Sequence, residues 1–215
     1  PKDDGSGYYQ FDKYVILYNN SAEEATLTTN FSIGMCSPAN SNATNKYYEG
    51  GTLTYTDWIP AYCSIWWFQE PVTISPYSQI VVALNGAIDH TQTYSQSVDL
   101  SDPEYYVTYA PEIYTNVNYH PAPSANIPSS HYLQTYKYNA FGNAWVLSNN
   151  SPAFFIFSTE GRTPSDFSQD PGVLQEVNAA ATDAMVPVDW VIDGIEVFRA
   201  TYDADNQKRL LPAVD

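Results

Sequence analysis

Three short runs of consecutive apolar residues constrain this chain more than any other feature. They are YVILY at 14–18, IVVAL at 80–84 and AFFIF at 153–157, and each lies beside a turn rich in Asn, Ser or Pro. Such β-branched and aromatic runs are typical of strands that are covered on both faces. We therefore place the first run, which stops at Asn19-Asn20-Ser21, centrally in a sheet. Three strands of this kind predict a two-layer β core.

The rest of the chain predicts one mainly β fold, a β-sandwich with long loop insertions. We expect residues 1–13 to be a mobile lead-in and residues 14–215 to be a single domain, with insertions at roughly 36–57 and 86–130. At most one or two short helices are expected. Helical spacing occurs over 170–181, where Asp170 can cap and Pro171 occupies the first turn. The apolar end at Asp215 leads us to expect that the native chain continues.

The charge balance restricts the partners. The chain has 8 Lys plus Arg against 24 Asp plus Glu, a net charge of −16. Such a surface repels phosphate backbones and anionic lipid, so nucleic acid is not expected as a partner. Abundant Asn, Ser, Thr and Tyr with little Lys or Arg is typical of secreted and cell-surface proteins. No apolar run approaches 18 residues, so we expect membrane attachment only through an N-terminal lipid anchor outside this chain.

The two cysteines, Cys36 and Cys63, are a disulfide candidate. A bond would close a loop of about 27 residues and stabilise the fold by about 3 kcal/mol on the chain-entropy model. Two separate buried thiols are the alternative, since spacing between the two residues in the fold cannot be read from sequence.

The densest aromatic cluster lies at 58–68. Pro60 lies within this segment and Pro71 follows it. Exposed rings in a rigid loop can stack on a sugar or anchor a peptide, which predicts a binding platform formed by Trp58, Tyr62, Trp66 and Trp67. The alternative, which the pattern favours, is that these rings cover the end of a β core.

No catalytic site is predicted. The three histidines, His90, His120 and His131, lack any zinc-ligand spacing, and the serines that follow Asp89-His90 lack a nucleophile elbow. Calcium is the one cofactor considered, because Asp203 and Asp205 place oxygen side chains at alternate positions. A solvated turn is the alternative there, and the acidic segment Asp99, Asp102 and Glu104 is a second site of the same kind.

Four segments carry a resemblance to a known family. They are YVILYNNS at 14–21, SPYSQIVVALNGAIDHT at 75–91, SVDLSDPEYYVTY at 97–109, and VPVDWVIDGIEVF at 186–198 with NQKRLLPAVD at the end. Together they resemble a Bacteroidota family of uncharacterised surface lipoproteins. The first is also similar to the strand that opens lamin-tail-type domains, although Ile16 stands where a Glu is usual. The resemblance implies an immunoglobulin-like or lamin-tail-like sandwich on the cell surface, and no chemistry.

These observations predict a non-catalytic cell-surface or secreted module that binds a saccharide, a peptide or a neighbouring outer-membrane protein. A structural subunit of a surface complex or fibre is one alternative. A secreted hydrolase with its site in the loops at 87–130 is the other.

Overall fold

The structure is a computed structural model, and it describes residues 2–7, 9, 11–36, 48–49, 52–138, 142, 145, 153–178 and 181–196. In chain order the strands are β1 (Tyr14–Tyr18), β2 (Ala25–Leu27), β3 (Phe31–Cys36), β4 (Tyr48–Glu49), β5 (Thr52–Leu53), β6 (Trp58–Tyr62), β7 (Ser64–Trp67), β8 (Val72–Ile74), β9 (Gln79–Ala83), β10 (Tyr106–Val107), β11 (Gln134–Lys137), β12 (Ala153–Ser158), β13 (Leu174–Asn178), β14 (Ala181–Pro187) and β15 (Val191–Glu196).

Helices are few and short in these residues. One α-helix, α1, covers Pro164–Gln169, and single 3-10 turns cover His90–Gln92, Ser129–His131, Pro171–Val173 and Val188–Trp190. The predicted mainly β class with at most one or two short helices is confirmed, and the several sheets are consistent with a β-sandwich. Within the described ranges, none of the helices is long and apolar enough to cross a membrane.

The chain forms two compact units. Unit 1 comprises Pro1–Thr29, Phe68–Gln134 and Gly142–Val146, and unit 2 comprises Asn30–Trp67, Thr135–Phe141 and Leu147–Asp215. Compactness does not establish independent folding, so the single domain over 14–215 with insertions at 36–57 and 86–130 stays a prediction.

Unit 1 is built on the sheet β1-β9-β10, in which β9 is central. Strand β1 is antiparallel to β9, with Tyr14 opposite Ala83 and Tyr18 opposite Gln79, and β10 is parallel to β9. Apolar residues of β9, β10 and the following loops form the core. The prediction that the 80–84 run is a buried strand is confirmed for β9. The central placement of 14–18 is wrong, because β1 is an edge strand of this sheet and pairs with β9 alone among the described strands.

Unit 2 contains the five-stranded sheet β11-β7-β3-β12-β15 and the three-stranded sheet β13-β14-β6. The 153–157 run, predicted as a core strand, forms β12, which lies between β3 and β15, and Phe155 lies opposite Gly34 of β3 and Gly194 of β15. The Phe155 ring covers Gly34 so closely that a Cβ there would lie 2.7 Å from its Cζ atom. Glycine at position 34 is therefore a packing requirement of this core.

The helix predicted over 170–181 is wrong. Asp170 does cap a turn, but its Oδ1 accepts from the amide of Gly172 at 2.8 Å in a 3-10 turn that ends at Val173. The next residues form β13 and pair with β14. The apolar spacing that resembled a helix belongs to a strand, so tertiary pairing overrides the local pattern.

Candidate functional site

Exposed apolar side chains are concentrated on β1. Tyr14, Ile16 and Tyr18 are 39%, 46% and 55% exposed, whereas Leu17 is buried on the opposite face. Side chains at alternate positions of a strand share a face, so these three form one apolar row on the surface of unit 1. Two tyrosines can keep their hydroxyls in water, which makes the row tolerable in an unbound protein.

The main chain of the same three residues points away from the sheet. The carbonyl of Lys13 accepts from the amide of Leu84 at 2.9 Å, and the amide of Asn19 donates to the carbonyl of Ser78 at 2.8 Å. In an antiparallel pair the hydrogen-bonded positions alternate, so the odd-numbered residues of β1 bond to β9. Tyr14, Ile16 and Tyr18 therefore direct their N–H and C=O groups outward. Within the described residues nothing bonds to these six groups.

A buried asparagine fixes the end of β1. The Nδ2 of Asn19 donates to the carbonyls of Glu23, Ile74 and Ser75 at 2.7, 3.0 and 3.2 Å. Tyr77 lies in the adjoining turn with φ of +53° and is 64% exposed. The strand therefore ends at a rigid corner that presents a further exposed ring, as a pre-organised surface requires.

The start of β1 is held by the residues before it. The Tyr9 hydroxyl hydrogen-bonds Nδ1 of His90 at 2.9 Å, and the Tyr9 ring lies edge-on to Phe11 and Tyr94. Asp12 accepts from the Ser97 hydroxyl at 2.6 Å. Tyr9 and Asp12 therefore contact residues 90–97 of the same unit. The mobile lead-in over residues 1–13 stays a prediction.

Acidic groups flank the row at both ends. Asp12 precedes β1, and Glu23 and Glu24 are exposed just beyond it. The nearby Lys13 is half-buried, and burial lowers the pKa of its ammonium. With a net charge of −16 on the whole chain, this edge favours cationic over anionic partners.

The predicted aromatic platform needs correction. Trp66 and Trp67 are 0% and 7% exposed, so they are core residues and cannot present a surface. Trp58 and Tyr62 are half-buried; Trp58 stacks on Tyr55 with ring centroids 4.6 Å apart, and burial raises the pKa of the Tyr62 hydroxyl. The reason is strand pairing, since β7 lies inside the five-stranded sheet.

The three histidines of the chain all lie in unit 1 and have structural partners. His90 is buried, and its Nε2 donates to the carbonyl of Gly86 at 2.9 Å while Nδ1 accepts from Tyr9. His120 is buried, and its Nε2 accepts from the amide of Ala110 at 2.9 Å.

Burial lowers the pKa of His120 to about 4. His131 bonds the carbonyl of Tyr105 at 3.1 Å and stacks on Tyr106. The imidazole rings of the three histidines are thus held by backbone and aromatic groups of unit 1.

The acidic loop also has a local role. Asp99 accepts from the amide and hydroxyl of Ser101 at 2.9 and 2.6 Å, and Asp102 accepts from the amide of Glu104 at 2.8 Å. These are side chain to backbone turns rather than an array aimed at an ion. The structure brings together no metal-binding group of His, Cys, Asp or Glu within its described ranges. Asp203 and Asp205 lie outside those ranges, so calcium there stays a prediction.

Cys36 and Cys63 are both buried as thiols, so the predicted disulfide is not formed in this structure. The β3–β7 ladder pairs Ser32 with Trp67 and Ile33 with Trp66, and Cys63 has φ of +68° at the junction of β6 and β7. Burial raises the pKa of the Cys36 thiol well above its usual value, which suppresses the thiolate that a disulfide exchange needs. Oxidation in the mature protein stays a prediction.

Sequence reasoning missed the row of Tyr14, Ile16 and Tyr18. Its signal was the alternation of two tyrosines about an isoleucine, which was hidden because Val15 and Leu17 made the whole run apolar. Period-two exposure cannot be seen when both faces of a strand carry apolar residues.

The chain was compared with known proteins by sequence and by structure. A search of curated proteins gave no match. Among solved structures, the crystal structure of a DUF4876 family protein from Bacteroides thetaiotaomicron VPI-5482 is similar, with a TM-score of 0.72 and 17% identity. The similarity covers 97% of this chain and 53% of that one, so this chain spans about half of its length. At this identity the likeness concerns the fold alone.

The family described as "Protein of unknown function (DUF4876)" matches residues 75–215, which include β9, β12 and β15. That match covers well over half of the sequence, and the chain therefore belongs to the DUF4876 family.

Proposed function

We propose that this protein is a non-catalytic binding module of the cell surface or the secreted fraction, and that it binds a partner protein through the edge of β1. The partner is a peptide segment or a neighbouring outer-membrane protein; the saccharide considered from sequence is less well supported. The carrying observation is that Tyr14, Ile16 and Tyr18 expose both their side chains and their unpaired main-chain groups at one edge.

An open edge of this kind is unusual because it can pair with other chains. Proteins protect edge strands with prolines, inward-pointing charges, bulges or covering loops. Residues 14–18 contain no proline and no charge. Their register with β9 is continuous from Tyr14–Ala83 to Tyr18–Gln79, without a bulge. Among the residues that the structure describes, nothing pairs with this edge, and its use in binding explains why it is open.

Location at the surface is proposed from composition. The net charge of −16 and the abundance of Asn, Ser and Tyr over Lys and Arg are typical of exported proteins. Under this proposal the fold is the lamin-tail-like or immunoglobulin-like sandwich that the YVILYNNS resemblance implies.

The hydrolase alternative draws no support from the loops at 87–130. Both ring nitrogens of His90 are engaged, and Nε2 of His120 is bound to a backbone amide, so neither ring presents a ready base.

Site-specific photo-crosslinking tests the proposal. A photoreactive phenylalanine analogue replaces Tyr18 in cells of the source organism, and the matched control carries it at Ile192, an exposed residue on β15. We expect a protein adduct at position 18 and none at position 192. Adducts at neither or at both positions would contradict binding through β1. An adduct of the chain with itself would instead support a structural subunit, and one removed by glycosidase a saccharide.

A further inference from the structure

We propose that β1 accepts an extended segment of a partner protein as an added strand, and that this segment alternates basic and apolar residues. This inference rests on the proposed function and names the partner class for the same site. The main-chain groups of Tyr14, Ile16 and Tyr18 would form the new ladder, and their side chains would pack on every second residue of the partner.

The geometry favours strand addition over contact by side chains alone. The three exposed side chains belong to the same residues whose N–H and C=O groups point outward. One approaching strand therefore satisfies six main-chain groups and covers two tyrosines and an isoleucine at the same time. A helix or a sugar could cover the rings but would leave the main-chain groups bonded only to water.

Charge selects a basic partner. Asp12 precedes the strand in sequence, the exposed Glu23 and Glu24 follow it, and the whole chain carries a net charge of −16. An incoming segment that carries Lys or Arg is therefore attracted to this part of the surface. Such complementarity raises association rates and discriminates against acidic segments.

A second copy of this chain fits the edge less well. Two copies would bring together surfaces of the same net charge of −16. A basic segment from another protein meets no such repulsion.

A designed peptide provides the probe. It is a nine-residue peptide of alternating Lys and Val with blocked ends, added to the isotope-labelled chain while amide exchange is followed by NMR. When the peptide occupies nine-tenths of the chain, exchange of the Tyr14, Ile16 and Tyr18 amides should slow by about tenfold, because only the unoccupied fraction exchanges. The amides of Val15 and Leu17, already bonded to β9, should change little.

Two control peptides isolate the cause. The first is N-methylated at its three central residues, which blocks both of its edges, and the second has Glu in place of every Lys. Neither should slow the three amides. Equal protection by the N-methylated peptide, or binding of the Lys–Val peptide without protection, would overturn strand addition. So would the absence of binding at millimolar peptide. Equal protection by the Glu peptide would overturn the basic partner.

A variant gives the same test from the protein side. Ile16→Pro removes an outward N–H but no bond to β9, and proline is tolerated at such edge positions. Ile16→Pro should abolish the slowing of amide exchange by the peptide and leave the thermal midpoint unchanged. Ile16→Val should keep both the slowing and the midpoint. A folded Ile16→Pro chain whose amides are still protected by the peptide would contradict the proposal. If this variant does not fold, the peptide controls decide. A crosslink at position 18 without peptide protection would leave the binding surface in place and remove only strand addition.

Discussion

Strands β1 and β12 have nearly the same apolar content, but β1 lies at the edge of its sheet and β12 lies between two other strands. β12 pairs with β3 and β15, and Phe155 and Phe157 are fully buried between neighbouring strands. Of the strands that the structure describes, β1 pairs with β9 alone, and three of its five residues remain exposed. Burial of the β12 side chains stabilises the fold, whereas the exposed row of β1 contributes little to folding and remains available for binding. Pairing on both edges, rather than apolar composition, separates a core strand from a surface strand.

The largest expected effect is in β12. Phe155→Ala should lower the free energy of unfolding by about 3–5 kcal/mol, because it removes a buried ring and leaves a cavity. Chemical denaturation measures this, with Phe155→Leu as a control that should lose much less. A loss below about 1 kcal/mol would mean that β12 does not carry the core.

Acid should destabilise the fold through His120, because burial disfavours its protonated ring. His120 titrates at about 4 in the folded protein and near 6.5 when unfolded. Between these values the unfolded chain binds a proton that the folded chain excludes. The stability that comes from keeping His120 neutral is therefore fully present above pH 6.5 and decreases as the pH falls from 6.5 to 4. Below pH 4 no more is lost, and the total loss is about 3 kcal/mol.

Unfolding free energies measured from pH 7.5 to 4 check this. His120→Gln keeps an acceptor for the Ala110 amide and cannot take up the proton, so its stability should fall less steeply over that range. An identical slope in the variant and the wild type would contradict the buried neutral ring.

A smaller loss of stability is expected from a substitution at Gly34, which the Phe155 ring covers. Gly34→Ala places a methyl group within 2.7 Å of the Phe155 ring and should cost about 1–3 kcal/mol through overpacking. Combining it with Phe155→Leu should recover part of that cost, since the ring that blocks the methyl is removed. Strictly additive losses in the double variant would show that the two residues do not share this space.

The smallest effect is expected in β1. Tyr18→Ala should change the free energy of unfolding by no more than about 0.5 kcal/mol, because the ring is mostly in water. Thermal and chemical unfolding measure it, with the buried neighbour Leu17→Ala as the matched control that should be clearly destabilised. A large loss for Tyr18→Ala would mean that the row is part of a core.

Sequence was sufficient for the class of fold and for two of the three apolar strands. The sequence predicted β9 and β12 as buried strands, and the structure pairs each of them with neighbours on both edges. It was insufficient for β1, since the choice between edge and centre depends on partners far along the chain. The 170–181 segment failed for the same reason: β14 offers Leu174–Asn178 a pairing that a short helix cannot match.

The candidate site could not be predicted for a related reason. Trp66 and Trp67 were attractive because rings were dense there, yet density alone does not distinguish a platform from a core, and β7 lies within a sheet. The row on β1 consists of three side chains only. Which backbone N–H and C=O groups point outward depends on strand pairing and cannot be read from residue types. The resemblance pointed correctly to a Bacteroidota family of unknown function, which is DUF4876, without indicating where a partner would bind. That its members are surface lipoproteins stays a prediction.

Native-state amide exchange of the unbound chain tests the open edge most directly. The amides of Tyr14, Ile16 and Tyr18 should exchange close to the rate of solvent-exposed peptide, while those of Val15 and Leu17 should be strongly protected by β9. This alternation along a single strand is the predicted result. Comparable protection of all five amides would show that the outer edge of β1 is already covered, and would contradict the account.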